Sequence, residues 1–265
     1  MPDNPDVIRF FRTKELAEVE FFSAEICEHQ FAPHAHDHYA VALTLDGTFH
    51  LERGTHAQVL RAGAVVCVPP GEVHGGHRVG ARRCKYRMFY IDRAFVERTN
   101  NIPALTSEPI YCPRLFGDLL DLHRTCERGS GDRTRHGLVR LLKQLETQRQ
   151  HVADVSDDPT VLDAVLALMN GDGDETRTMS VGDLAALAGL HPAYFSRLFT
   201  ARLGLPPHAY RIDRKVQQAR WRISSGEPLA EVASDLGFTD QSHLNRHFKR
   251  RFGLAPGAYA RQVRG

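Results

Sequence analysis

LAEVASDLGFTDQSHLNRHFKRRFGLAPGAYAR, residues 229–261, decides the fold of the C-terminal third. A short helical segment over 229–236 meets Gly237, which supplies a tight turn, and a second segment opens at Gln241 with Asp240 placed as its N-cap. Leu244 and Phe248 recur at helical spacing inside that second segment, and Gly253-Leu254-x-Pro256 closes the unit. The same plan stands upstream. A shift of 49 residues lays Arg197 on Arg246, Phe199 on Phe248, Gly204 on Gly253, Pro207 on Pro256 and Tyr210 on Tyr259. A shift of 48 lays Leu184 on Val232, Ala185 on Ala233 and Gly189 on Gly237. The change of offset falls between two helices, where an inserted residue costs little.

Each copy therefore predicts a short helix, a glycine turn and a second helix, over 181–204 and 229–253. This is the helix-turn-helix plan, whose second helix enters the major groove of duplex DNA. Pro192 suits the first position of the upstream second helix. Phe195, Leu198, Phe199, Leu244 and Phe248 are expected in the core. The opposite faces then carry Ala193, Ser196 and Arg197 in copy one, and Gln241, Ser242, His243, Asn245 and Arg246 in copy two, as base-contacting candidates. Gln, Asn and Arg make bidentate contacts with base edges. Lys249, Arg250 and Arg251 follow and are expected on phosphate. A connecting helix, 209–223, would let both readers occupy successive major grooves about 34 Å apart.

Charge agrees with that division. The formal net charge is only +2, but from Thr176 onward fourteen Lys and Arg face six Asp and Glu, a local +8. Residues 1–175 carry −6. A polyanion is thus a partner for the C-terminal third alone. Five cysteines without a CxxC pair, and an N-terminus lacking an apolar leader, predict reduced thiols and a cytoplasmic location. No apolar run reaches membrane-spanning length.

Residues 18 to about 112 read as β. AVALTLDGTFHLERG, from Ala40, has strand-like runs broken at Asp46-Gly47 and Arg53-Gly54, both expected as hairpin turns. AQVLRAGAVVCVPPGEVH and CKYRMFYID continue the pattern of an antiparallel barrel or sandwich. From Pro113 the period becomes helical. Leu138, Leu141, Leu142 and Leu145 form one apolar stripe, which either packs on the barrel or forms a seam between two chains. The polar stretch over 170–178 is the expected linker.

LAALAG…YFSRLFTARLGLPPHAYR, together with the stretch quoted at the outset, resembles the DNA-binding domain of the AraC/XylS family of bacterial transcription regulators. Leu244 stands where many members have Phe. PHAHDHYAVALTLDGTFHLERG and LRAGAVVCVPPGEVHGG are similar to that family's cupin-like effector domain. The resemblance implies an α+β multidomain chain. A cupin-like antiparallel β-barrel spans 1–112, linker and dimerisation helices span 113–155, and an all-α double helix-turn-helix domain spans 156–265. It implies that Ala193, Ser196, Arg197, Gln241, Ser242, His243, Asn245 and Arg246 read bases. It implies a regulator, not an enzyme, with promoter DNA, a small-molecule effector and RNA polymerase as partners, acting as a homodimer.

Eight of the fifteen histidines lie between His29 and His77. His34, His36, His38, His74 and His77 invite a metal reading, since imidazoles suit late transition metals. The metal-binding cupins bring a glutamate a few residues after their HxH, where this chain has Ala40-Val41. The favoured reading is an organic effector lined by His34, His36, Tyr39 and His74, with no cofactor; metal ligation by His34, His36 and His74, and mere capping of strand ends, are the alternatives. A metal-dependent cupin enzyme fused to a DNA-binding module is the rival function. Arg83, Lys85 and Arg87 would share one strand face, either lining the barrel or solvated.

Overall fold

The computed structural model describes residues 6–54, 56–99, 109–129, 134–147, 165–166, 169 and 179–264. The linker expected over 170–178 and the domain boundary expected between 155 and 156 lie outside these residues. Among them, apolar alternation produces two antiparallel sheets. The larger contains β1 (Val7–Arg12), β2 (Val19–Ile26), β4 (His38–Asp46), β7 (Val65–Val68) and β9 (Cys84–Asp92), ordered β1-β2-β9-β4-β7. The smaller contains β3 (Phe31–His34), β5 (Thr48–Arg53), β6 (His56–Arg61) and β8 (His74–Arg78), ordered β3-β8-β5-β6.

Three local expectations are corrected. Asp46-Gly47 is not a hairpin: β4 pairs with β7 and β9, and β5 with β6 and β8, so the dipeptide carries the chain from one sheet to the other. Gly47 has φ 75°, and a Cβ there would collide with the Arg83 carbonyl. Arg53-Gly54 does join a hairpin, since Arg53 pairs with His56. The β region also begins earlier than expected, at β1, and it contains a helix, α1 (Arg93–Thr99), which Asp92 opens by accepting from the Ala94 N–H.

The larger sheet buries both faces. On one, Phe21, Val41, Leu43, Phe89 and Ile91 pack against α2 (Pro113–Glu127) and α3 (Thr134–Thr147). The stripe of Leu138, Leu141, Leu142 and Leu145 is spent here, each residue 1% exposed. Full burial of such a side chain contributes about 1.5–3 kcal/mol. The intramolecular alternative therefore holds, and these leucines offer no seam to a second chain. The other face, with Phe22, Tyr86, Met88 and Tyr90, looks into the barrel.

The duplicated helices follow as predicted. Copy one comprises α4 (Val181–Leu187) and α5 (Pro192–Leu203); α6 (Pro207–Ser224) connects it to α7 (Leu229–Asp235) and α8 (Gln241–Phe252), and α9 (Pro256–Arg264) ends the fold. Gly204 and Gly253 cap α5 and α8 at matching positions with φ 73° and 76°, the left-handed conformation that stops a helix. Asp240 accepts from the His243 N–H at 2.7 Å, the N-cap that the sequence indicates.

The barrel and the helices share their cores. Phe10, Phe22 and Tyr90 of the barrel cluster with Val216, Ile223, Phe248, Phe252 and Tyr259. Ala35 and Val73 join the core of copy one, around Phe195, Phe199 and Tyr210. At the junction, Glu20 and Arg220 are fully buried 3.2 Å apart, and the Arg220 guanidinium lies over the Tyr90 ring at 4.4 Å. Tyr259 donates its hydroxyl hydrogen to Glu20.

Candidate nucleic-acid interface and effector cavity

Phe195 and Phe199 anchor α5, and Leu244 and Phe248 anchor α8, all 0% exposed. This fixes which faces turn outward. Ala193 and Arg197 on α5 are exposed, with Ser196 half-buried. On α8, Gln241, Ser242 and Arg246 are exposed, with His243 and Asn245 half-buried. Lys249 and Arg250 are exposed one turn on. Both comb-like faces are therefore open to solvent although the opposite sides of the helices are buried. The His243 ring is engaged by its neighbours, with the Thr239 N–H at 3.4 Å from Nδ1 and His247 Nε2 at 3.0 Å.

Two expectations about these helices fail. The spacing of Leu198 predicts a core position, but it is 36% exposed on the outer side of α5 beside Tyr194, at 50%. Arg251, expected on phosphate, is buried, and its Nε donates to Asp213 at 3.1 Å. Its position in a run of three cations hid the fact that residue 251 lies on the same helical face as Leu244 and Phe248.

Arg251 points instead toward the barrel. It lines, with His34, His74, Phe22, Phe49, Tyr86 and Met88, a largely apolar cavity of about 60 Å³. A second cleft, bounded by His34, His208, His247, Arg250, Arg251 and Asp213, adjoins it between barrel and helices. Burial pushes the Asp213 carboxyl up to about 6, against the attraction of Arg251 and a hydrogen bond from the Ala35 N–H.

The histidines divide. The Nδ1 of His34 donates to the Ala32 carbonyl at 2.7 Å and that of His74 to the Glu72 carbonyl at 3.0 Å. Both protons being so placed, the two Nε2 atoms meet at 2.9 Å as bare lone pairs. Burial disfavours the proton that would join them, lowering His74 to about 3 and His34 well below the usual imidazole range. A hydrogen-bond donor or a cation would part the rings and satisfy both. His36 is fully buried below them, edge-on to Tyr90, and neither ring nitrogen has a hydrogen-bond partner among the described residues. Tyr39 does not belong to this site. It lies on the opposite face of β4, in the core under α2 and α3, because strand side chains alternate. Arg83 and Lys85 pair with Glu25, and Arg87 with Glu127 and His123, all on the side of β9 away from the cavity.

The chain matches the AraC-like ligand binding domain over residues 16–171 and a helix-turn-helix domain over residues 184–262. It belongs to the AraC family of transcription regulators. Among relatives of this AraC-family chain is the arabinose operon regulatory protein of Escherichia coli, 26% identical over 234 residues, covering 83% of this chain and 80% of that one. The transcriptional activator NphR of Rhodococcus is 24% identical over 246 residues, covering 84% and 70%. Among solved structures, ToxT of Vibrio cholerae superposes with a TM-score of 0.62 at 12% identity over 98% of each chain. ToxT with an unsaturated fatty acid bound gives 0.57 at 14% identity, covering 98% and 96%. These last likenesses concern the fold. The AraC-family organisation gives the two halves their roles: a ligand-binding barrel and a DNA-binding pair of helix-turn-helix units, in a regulator. The spacing of Arg251 from Leu244 and Phe248 marks it as inward-facing in the sequence, but only the packing of α8 on the barrel makes it a cavity residue.

Proposed function

We propose that this regulator is governed by a small amphipathic acid held in the barrel, and that the acid is sensed directly by the second DNA-reading helix. One observation carries the reading: Arg251 belongs to α8, yet its side chain lines the barrel cavity. A carboxylate there would replace or supplement Asp213 on the guanidinium, and charge-assisted bonds of this kind are the strong ones. The apolar part of the acid would lie against Phe22, Phe49 and Met88, and a donor on it would satisfy the bare His34 and His74 nitrogens. The fatty acid in ToxT supports the class of ligand.

The outward faces of α5 and α8 read the promoter, through Ala193, Ser196, Arg197, Gln241, Ser242, His243, Asn245 and Arg246, with Lys249 and Arg250 on phosphate. Binding of the acid biases the docking of α8 on the barrel, which gives the differential affinity that coupling between two sites requires. The chain works in the cytoplasm as a homodimer engaging RNA polymerase, without catalysis. The rival metal enzyme finds two imidazoles in the cavity and no carboxylate among the described residues that line it.

The test is a thermal-shift and operator-binding series with the full chain, using medium-chain fatty acids, aromatic carboxylates and their methyl esters. Acids should raise the melting temperature and change operator affinity, esters should do neither, and Arg251→Met should abolish the response to acids. Equal responses to acids and esters, or an undiminished response in Arg251→Met, overturn the role given to Arg251.

A further inference from the structure

On β5, His50 and Glu52 alternate with Leu51, so both point to the outer face of the barrel wall while Leu51 lines the cavity. His77 on β8 stands directly opposite His50 in the register. The fold thus brings together an H-x-E pair and a histidine distant in sequence. Glu52 Oε1 lies 3.5 Å from His50 Nδ1 and 3.7 Å from His77 Nδ1. One ligand atom from each of the three lies within 4.8 Å of the others. A tetrahedral ion with bonds of about 2.0–2.2 Å sets its ligand atoms about 3.3–3.6 Å apart. His50 Nδ1 is sealed from solvent and makes no hydrogen bond among the described residues, with Glu52 Oε1 3.5 Å away.

We propose that His50, Glu52 and His77 form a divalent-metal site on the outer wall of the barrel, filled by Zn²⁺, with water at the remaining position. Two imidazoles and a carboxylate are a donor set that this ion accepts. With its ligands on two directly paired strands, the ion acts on structure. It pins β5 to β8, the strands that contribute Phe49, Leu51, His74 and Gly75 to the effector cavity. Metal occupancy therefore stiffens the wall on which the effector packs, a consequence that rests on the effector reading, whereas the site itself does not.

The test uses the full chain without an affinity tag, stripped by a chelator and titrated with ZnCl₂ in a calorimeter. One ion per chain should bind and raise the melting temperature. His50→Ala and His77→Ala should each weaken binding by more than about tenfold, as loss of a ligand does. Glu52→Gln, which preserves shape, should also weaken it, and His74→Gln inside the cavity should leave the titration unchanged. Circular dichroism checks that each variant is folded. Absence of saturable binding, or binding that survives His50→Ala and His77→Ala, overturns the proposal. Binding lost in His74→Gln moves the metal to the cavity and likewise overturns it.

Discussion

Arg246, Arg250 and Arg251 lie within two turns of α8, and their surroundings assign them different work. Arg246 and Arg250 are exposed, whereas Arg251 is buried against Asp213. Arg246 is exposed on the face opposite Leu244 and Phe248, the face proposed above to read bases, and a guanidinium suits a guanine edge. Arg246→Ala should cost about 1–3 kcal/mol on the specific site and relax base choice there. Arg250→Ala should weaken all duplexes nearly alike and flatten the dependence of affinity on salt by about one unit of log–log slope. Fluorescence anisotropy on the operator and on single-base variants, over a salt series, separates the two. An Arg246→Ala protein that keeps its sequence preference would remove α8 from the groove. A residue's type was enough to nominate all three arginines, but not to separate them. That depended on which side of the helix the barrel covers, a contact between parts remote in sequence.

The connection from β3 into β4 concentrates buried imidazoles. His34 ends β3, His36 lies between the strands, His38 begins β4, and His74 begins β8 alongside. His38 is stacked on Trp221 with ring centroids 4.6 Å apart. Burial, reinforced by Arg251, Arg220 and Arg12, holds all four below the ordinary imidazole value of 6.5. In the window between those lowered values and 6.5 the unfolded chain binds the protons that the folded chain refuses. Stability is therefore complete above pH 6.5 and is lost as pH falls beneath it, by up to about 1.4 kcal/mol per pH unit for each histidine that stays neutral. Asp213 works the other way. Its folded value of about 6 lies above the ordinary 3.8, so the folded chain takes up a proton first and gains stability on acidification. His123, held at about 4, and the lowered His29 and His247 add to these four, so one carboxyl is outweighed and stability should fall by several kcal/mol between pH 7.5 and 5.5. Urea unfolding at the two pH values measures it, and unchanged stability would mean that these rings are solvated. The clustering of histidines was visible in the sequence. The face that each strand residue takes was not, and Tyr39, on the helix-covered face of β4, is therefore no neighbour of His34, His36 and His74.

For the molecule as a whole, the repeat made the helical domain legible, because matching glycines and aromatics fix two units without any knowledge of packing. The join between barrel and helices left no such periodic trace. It is made by single residues scattered along the chain, and its centre is Glu20 with Arg220, both 0% exposed and 3.2 Å apart. Arg12, 3.2 Å from the same carboxylate, and the Tyr259 hydroxyl complete the group, with Phe10 edge-on to Tyr259 at 5.2 Å. Removing one partner strands a buried charge, so Glu20→Leu should lower the free energy of unfolding by about 3–5 kcal/mol. Replacing both partners by apolar groups removes the need for compensation, so adding Arg220→Leu should recover a large part of that loss. Because the core on either side is shared, loss of the pair should also loosen α6 and α9 from the barrel. The barrel and helical units of Glu20→Leu should then unfold in separate steps, seen by tryptophan fluorescence at Trp221 and by far-ultraviolet circular dichroism, where the parent chain should show coincident transitions. A double variant no more stable than Glu20→Leu would show that the two charges are not coupled. Coincident transitions in the single variant would show that the apolar contacts alone hold the second reader to the barrel.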